Sequence, residues 1–139
     1  MHWVVDGMNL IGSRPDGWWR DRAGARRRLV TQLATLVGPN VEVTVVFDGR
    51  AGPGEVGAAD AAGVTARFAP GGPNAADHAI VALLPSLLPP SGHETEVTVV
   101  TSDAALADSV RRTGVAVVGV RAFRELLPDA DEPGSRGGR

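Results

Sequence analysis

Cysteine is absent from the 139 residues of this chain. That single absence excludes disulfides, thiolate metal sites and cysteine nucleophiles. Lysine is absent too: all 14 basic residues are arginine, a bias that carries no functional reading by itself. No apolar run reaches membrane-spanning length, so no membrane partner is expected. No signal-peptide pattern opens the chain, and Met1 leads directly into a strand-like run, so a soluble cytoplasmic protein is the expectation. A glycine-rich phosphate loop of the Walker type is also missing, which argues against an NTPase. What remains is an ordinary globular composition, 43% apolar and 22% charged. It suits one domain able to bury a core without staples.

The aspartates are placed with more purpose. Three hydrophobic runs that read as buried strands each end in one: His2-Trp3-Val4-Val5-Asp6, Val43-Thr44-Val45-Val46-Phe47-Asp48, and Val97-Thr98-Val99-Val100-Thr101-Ser102-Asp103. Such strands belong to a parallel sheet covered by helices on both faces, where ligands bind at the carboxyl ends of the strands.

Between these strands the sequence reads as helix or loop. A loop spans residues 12–20, and a helix over about 21–37 carries Ala25, Leu29, Leu33 and Leu36 on one stripe. Gly38-Pro39-Asn40 stops it, and the second strand covers 41–47. Residues 49–63 are rich in glycine and alanine and read as mobile. A short strand at 64–68 precedes a turn at 69–73, after which Asn74 is expected to cap a helix with stripe Ile80, Leu83, Leu84 and Leu87. Pro85 should kink or end that helix early. After a strand at 96–101, Ser102 is expected to cap a helix running to Arg112, with Gly114 as terminator. A last strand covers 115–118 and a short helix 122–127. Strands alternate with helices throughout, so a three-layer α/β/α sandwich with a mainly parallel sheet follows. The single domain is expected over 1–127, with a disordered tail over 128–139.

Each aspartate has an ordinary explanation. Asp6 could close an Asx turn, Asp48-Gly49 is a common turn dipeptide, and Asp77 and Asp103 suit a first helical turn. Their convergence on one sheet edge is harder to dismiss, because clustered carboxylates away from water require a cation. Hard oxygen donors without cysteine suit Mg²⁺ or Mn²⁺ and phosphate substrates. An aspartyl phosphatase usually has a second aspartate two residues after the first, where this chain has Met8. Hydrolysis of a phosphodiester by metal-activated water fits better.

Taken in order, Val5-Asp6-Gly7-Met8-Asn9, Phe47-Asp48-Gly49, Ala76-Asp77-His78 and Thr101-Ser102-Asp103 resemble the successive motifs of NYN domains. The resemblance is to the YacP-like branch in particular, within the PIN-like nuclease superfamily, and spans about residues 2–127. It implies a PIN-like, Rossmann-like topology and a metal-dependent endoribonuclease holding one or two Mg²⁺ or Mn²⁺ ions. By matching position, Asp6, Asp77 and Asp103 would bind metal and act in catalysis. Asn9 would orient the cluster, and Asp48 would be a ligand or support one. Members of this family commonly carry a second acidic residue where this chain has His78. An imidazole there can ligate metal or shuttle protons, but a helix-surface role is the preferred reading.

Residues 13–31 carry six arginines against two aspartates. Arg14, Arg20, Arg22 and Arg26 are candidates for the RNA backbone and Trp18 for base stacking, unless the tryptophans pack on the core. The leading reading is therefore a cytoplasmic endoribonuclease acting on RNA, with the ribosome a candidate partner and the chain a monomer or homodimer. The alternative is an RNA- or ribosome-binding module of the same fold without catalysis. A small phosphatase of another α/β family is the weakest reading.

Overall fold

In the computed structural model of the chain, residues 1–72, 74–88 and 96–128 are described. Five strands form the sheet: β1 (His2–Asp6), β2 (Glu42–Asp48), β3 (Val64–Ala69), β4 (Val97–Val100) and β5 (Ala116–Val118). Every pairing is parallel and the order is β3-β2-β1-β4-β5. The chain winds outward from β1 to one edge and then returns to β1's other side. The carboxyl ends of β1 and β4 therefore flank the switch point where such sheets bind ligands.

Period-two alternation along the strands separates two cores. Val5, Val43, Val45, Phe47 and Val100 face one side, where they meet Leu10, Ile11, Leu29, Leu33, Ala59 and Phe123. These belong to α1 (Gly7–Gly12), α2 (Arg22–Ala34), α3 (Glu55–Ala61) and α6 (Val120–Arg124). Val4, Val46, Val97 and Val99 face the other side, against Ile80 and Leu84 of α4 (Ala75–Leu87) and Leu106 and Val110 of α5 (Ala104–Arg112). The expected α/β/α sandwich is thus observed, with a sheet that is wholly rather than mainly parallel.

Several local expectations are corrected. The chain enters α1 at once after β1, before the loop expected at 12–20, and Gly7 makes this possible. A Cβ there would lie 2.5 Å from the Phe47 ring, so the backbone crosses that side chain only as glycine. The stretch read as mobile contains α3, seated on the core through Ala59. Asn74 adopts a left-handed conformation with φ 67° and makes no side-chain cap. Pro85 lies inside α4, which ends two residues later at Leu87. Asp103, not Ser102, caps α5. The tail expected to be disordered lies, apart from Pro128, outside the described residues.

Candidate active site

Asp6 ends the central strand and is 5% exposed. The Thr101 hydroxyl, just past β4, donates to its Oδ2 at 2.8 Å. Burial above all pushes the Asp6 carboxyl up to about 6, with the Asp77 and Asp48 charges adding to it. Thr101 and the backbone of Asn9 pull the other way. Asp6 is thus held in place by the Thr101 hydroxyl and the Asn9 backbone while its own charge is opposed by its neighbours.

Thr101 connects two of the expected residues. Its Oγ1 accepts the Asp103 N–H at 3.1 Å while donating to Asp6. Asn9 performs a related task from α1: its Oδ1 accepts the Ser102 N–H at 2.7 Å. The Ser102 hydroxyl in turn accepts the Val120 N–H at 2.9 Å. Asn9 therefore pins the turn that carries Asp103, and that turn is tied onward to α6.

The remaining carboxylates come from the elements around the switch point. Asp48, exposed at the end of β2, accepts the Ala76 N–H at 3.1 Å and so supplies the α4 cap that Asn74 does not. Asp103 caps α5 by accepting the Leu106 N–H at 3.0 Å. Asp77, half-buried in the first turn of α4, has its carboxyl raised by burial first and then by the Asp103 and Asp48 charges. His78, beside it and exposed, opposes that shift. An open groove of about 210 Å³ runs between α4 and α5, with Asn74, Asp77, His78, Asp103 and Ser109 on its walls.

The structure thus brings Asp6, Asp48, Asp77 and Asp103 into one electrostatic neighbourhood. Among the described residues, however, no three histidine or carboxylate side chains lie close enough to grip one ion. The reason is visible in the hydrogen bonds: Asp48 and Asp103 are turned onto helix ends, and Asp6 onto Thr101. The donors are all hard oxygens, and Mg²⁺ is customarily held by one or two carboxylates with waters completing its shell. Asp6 and Asp77, each raised first by burial and then by neighbouring carboxylates, are the pair that would meet that smaller requirement.

The arginine-tryptophan segment divides. Arg20 and Arg22 are exposed, with Arg22 5.3 Å over the Trp18 ring. Trp18 packs half-buried against the core and meets Trp19 edge-on; Trp19, 51% exposed, is the aromatic turned to solvent. Arg26 differs from expectation. Its guanidinium is bound to Glu55 at both forks, with the two side chains 13% and 10% exposed, and stacks on Phe68. It fastens α2 to α3 and does not offer its charge outward. Arg14 is half-buried beside Arg28 and Arg124. Sequence reasoning missed Arg124, which no local motif marks, and left Thr101 without a role although it stands inside the Thr101-Ser102-Asp103 motif.

The family model of the YacP-like NYN domain matches residues 3–135. A point mutant of Rae1 (YacP) from Bacillus subtilis superposes with a TM-score of 0.69 at 25% identity, over 90% of this chain and 74% of that one. The structure of Rae1 (YacP) without the mutation gives a TM-score of 0.64 at 23% identity, over 91% and 73%, a likeness of fold alone. No curated protein matches the chain.

Proposed function

This chain belongs to the YacP-like NYN domain family, and on that premise we propose that it is a metal-dependent endoribonuclease hydrolysing RNA phosphodiester bonds. The observation that carries the reading is the gathering of Asp6, Asp77, Asp48 and Asp103 about the switch point of a parallel sheet, where burial and then the neighbouring charges raise the proton affinity of Asp6 and Asp77.

Asp6 and Asp77 would hold Mg²⁺ or Mn²⁺. Asp103 and Asp48 each spend one carboxylate oxygen on a helix cap, and the other would be left for the ion or its waters. A bound ion of this kind supplies a water of lowered pKa and neutralises charge on a phosphoryl oxygen. The chain's own contribution is placement. Thr101 fixes the Asp6 carboxylate, Asn9 fixes the turn bearing Asp103, and burial keeps water from screening Asp6. The groove between α4 and α5 leaves Asp77 and Asp103 open to a substrate. The substrate would be RNA, met in the cytoplasm.

The test is incubation of the purified protein with a mixed pool of single-stranded and structured RNA, in Mn²⁺, in Mg²⁺ and in chelator. Fragments that appear with either ion and vanish with chelator are expected. One observation favours the second reading, an RNA-binding module without catalysis: no three-ligand cluster is preassembled among the described residues. Salt-sensitive RNA binding with no cleavage in any ion would decide for it.

A further inference from the structure

We propose that Arg124 is a positioning residue for the active site: it clamps the end of α1 and so keeps Asn9 against the turn that carries Asp103. Its effect on cleavage rests on the nuclease reading; its effect on that turn does not. α1 is six residues long, too short to be stable by itself. Its first end is fixed by β1 and by Gly7 lying against Phe47. Its last end is held from α6. The Arg124 Nη2 donates to the Leu10 carbonyl, and its Nε donates to the Ser13 hydroxyl at 2.8 Å. That hydroxyl itself donates to the same carbonyl at 2.7 Å. Two guanidinium nitrogens are thus engaged at the end of α1, where a cation also suits the helix dipole. What makes Arg124 more than a cap is that the helix it ends carries Asn9, one residue before Leu10.

The same two helices meet again at the active site. Asn9, on α1, accepts the Ser102 N–H at 2.7 Å. The Ser102 hydroxyl accepts the N–H of Val120, the first residue of α6, at 2.9 Å. Three segments are therefore joined in a closed ring: α1 to the turn at 101–103, the turn to α6, and α6 back to α1 through Arg124. The approach is tight where α6 begins, since a Cβ on Gly119 would lie 3.3 Å from the Ser102 hydroxyl. Phe123, fully buried and 5.0 Å from the Trp3 ring, anchors α6 in the core and gives the neighbouring Arg124 a firm base. In such a ring the links support one another, so release of the Arg124 link should loosen the Asn9 link on the far side.

Amide hydrogen exchange of the full chain, followed by NMR in chelator, tests the clamp without metal or RNA. Arg124→Met keeps the apolar stem and removes both donors. The Ser102 amide should then exchange about tenfold faster, the worth of one hydrogen bond, while the Val45 and Val99 amides in the sheet keep the parent rate. Arg124→Lys, which restores one donor group, should recover part of the protection. In an Asn9→Ala background Arg124→Met should add nothing at Ser102, because the link through which it acts is gone. A Ser102 amide that keeps the parent rate in Arg124→Met would overturn the proposal. So would faster exchange spread evenly over the sheet, which is loss of stability alone. In Mn²⁺, single-turnover cleavage of a single-stranded RNA by Arg124→Met should slow about tenfold with the RNA Kd unchanged. A raised Kd with Ser102 still protected would make Arg124 an RNA contact and overturn its positioning role, as would unslowed cleavage despite faster exchange. Faster exchange at Ser102 in a protein that never cuts would support the clamp while removing the nuclease.

Discussion

At Asp6, stability and chemistry pull in opposite directions. Its folded pKa of about 6 lies above the ordinary 3.8, so the folded state holds the proton more tightly than the unfolded state does. The stability this group contributes is full below about pH 4 and is lost as pH rises through 6. The loss amounts to about 3 kcal/mol when complete. Asp6→Asn should therefore stabilise the metal-free protein at neutral pH by on the order of 2–3 kcal/mol, with the two proteins converging near pH 4. Urea unfolding in chelator at both pH values checks this; a gap independent of pH would contradict it. Thr101→Val keeps the volume but removes the donor to Asp6 and the acceptor for the Asp103 N–H. A loss of about 1–2 kcal/mol is expected. Since Thr101 lowers the Asp6 pKa, the acid limb of the pH–rate profile should move upward. A destabilised variant whose profile stayed in place would reduce Thr101 to a structural role.

Element by element, the strands were legible because period two and β-branched residues leave few alternatives; Asp6 and Asp48 end their strands as expected, whereas Asp103 lies three residues past β4 and caps α5. α1 was not legible: it is six residues long, and the need for Gly7 comes from Phe47, forty residues away. α3 was hidden because its glycine lowers helix propensity and its small alanines leave no apolar stripe to read. Its anchor is tertiary. Glu55 binds Arg26 across 29 residues, so a residue that resembled an RNA ligand is part of the framework. Glu55→Gln leaves Arg26 half-paired in a nearly buried site and should cost about 3 kcal/mol, with little effect on RNA affinity. Equilibrium unfolding and anisotropy together test this. Arg26 holds the Glu55 carboxyl below its ordinary 4.5, so the stability from this pair is present above that value and fades as pH falls below it.

For the whole molecule, the convergence of the aspartates could be read from the chain, because topology alone carries strand ends to one edge. How the carboxylates are turned could not, since helix caps are won by whichever acceptor the fold brings near: Asp48 takes the α4 cap from Asn74, and Asp103 takes the α5 cap from Ser102. Arg124 was illegible for the same reason, acquiring its meaning from Leu10 and Ser13 more than a hundred residues earlier. The net charge of −2 is spread unevenly: four aspartates gather at the switch point, while Arg14, Arg28 and Arg124 line one pocket beside α1, α2 and α6. The measurement that bears most directly on this account is single-turnover cleavage of one RNA in Mn²⁺ by the parent and by Asp6→Asn, with both shown to be folded and to bind that RNA. The account predicts that the variant binds as before and cuts at least about a hundredfold more slowly. Cleavage by Asp6→Asn at the parent's rate would contradict it.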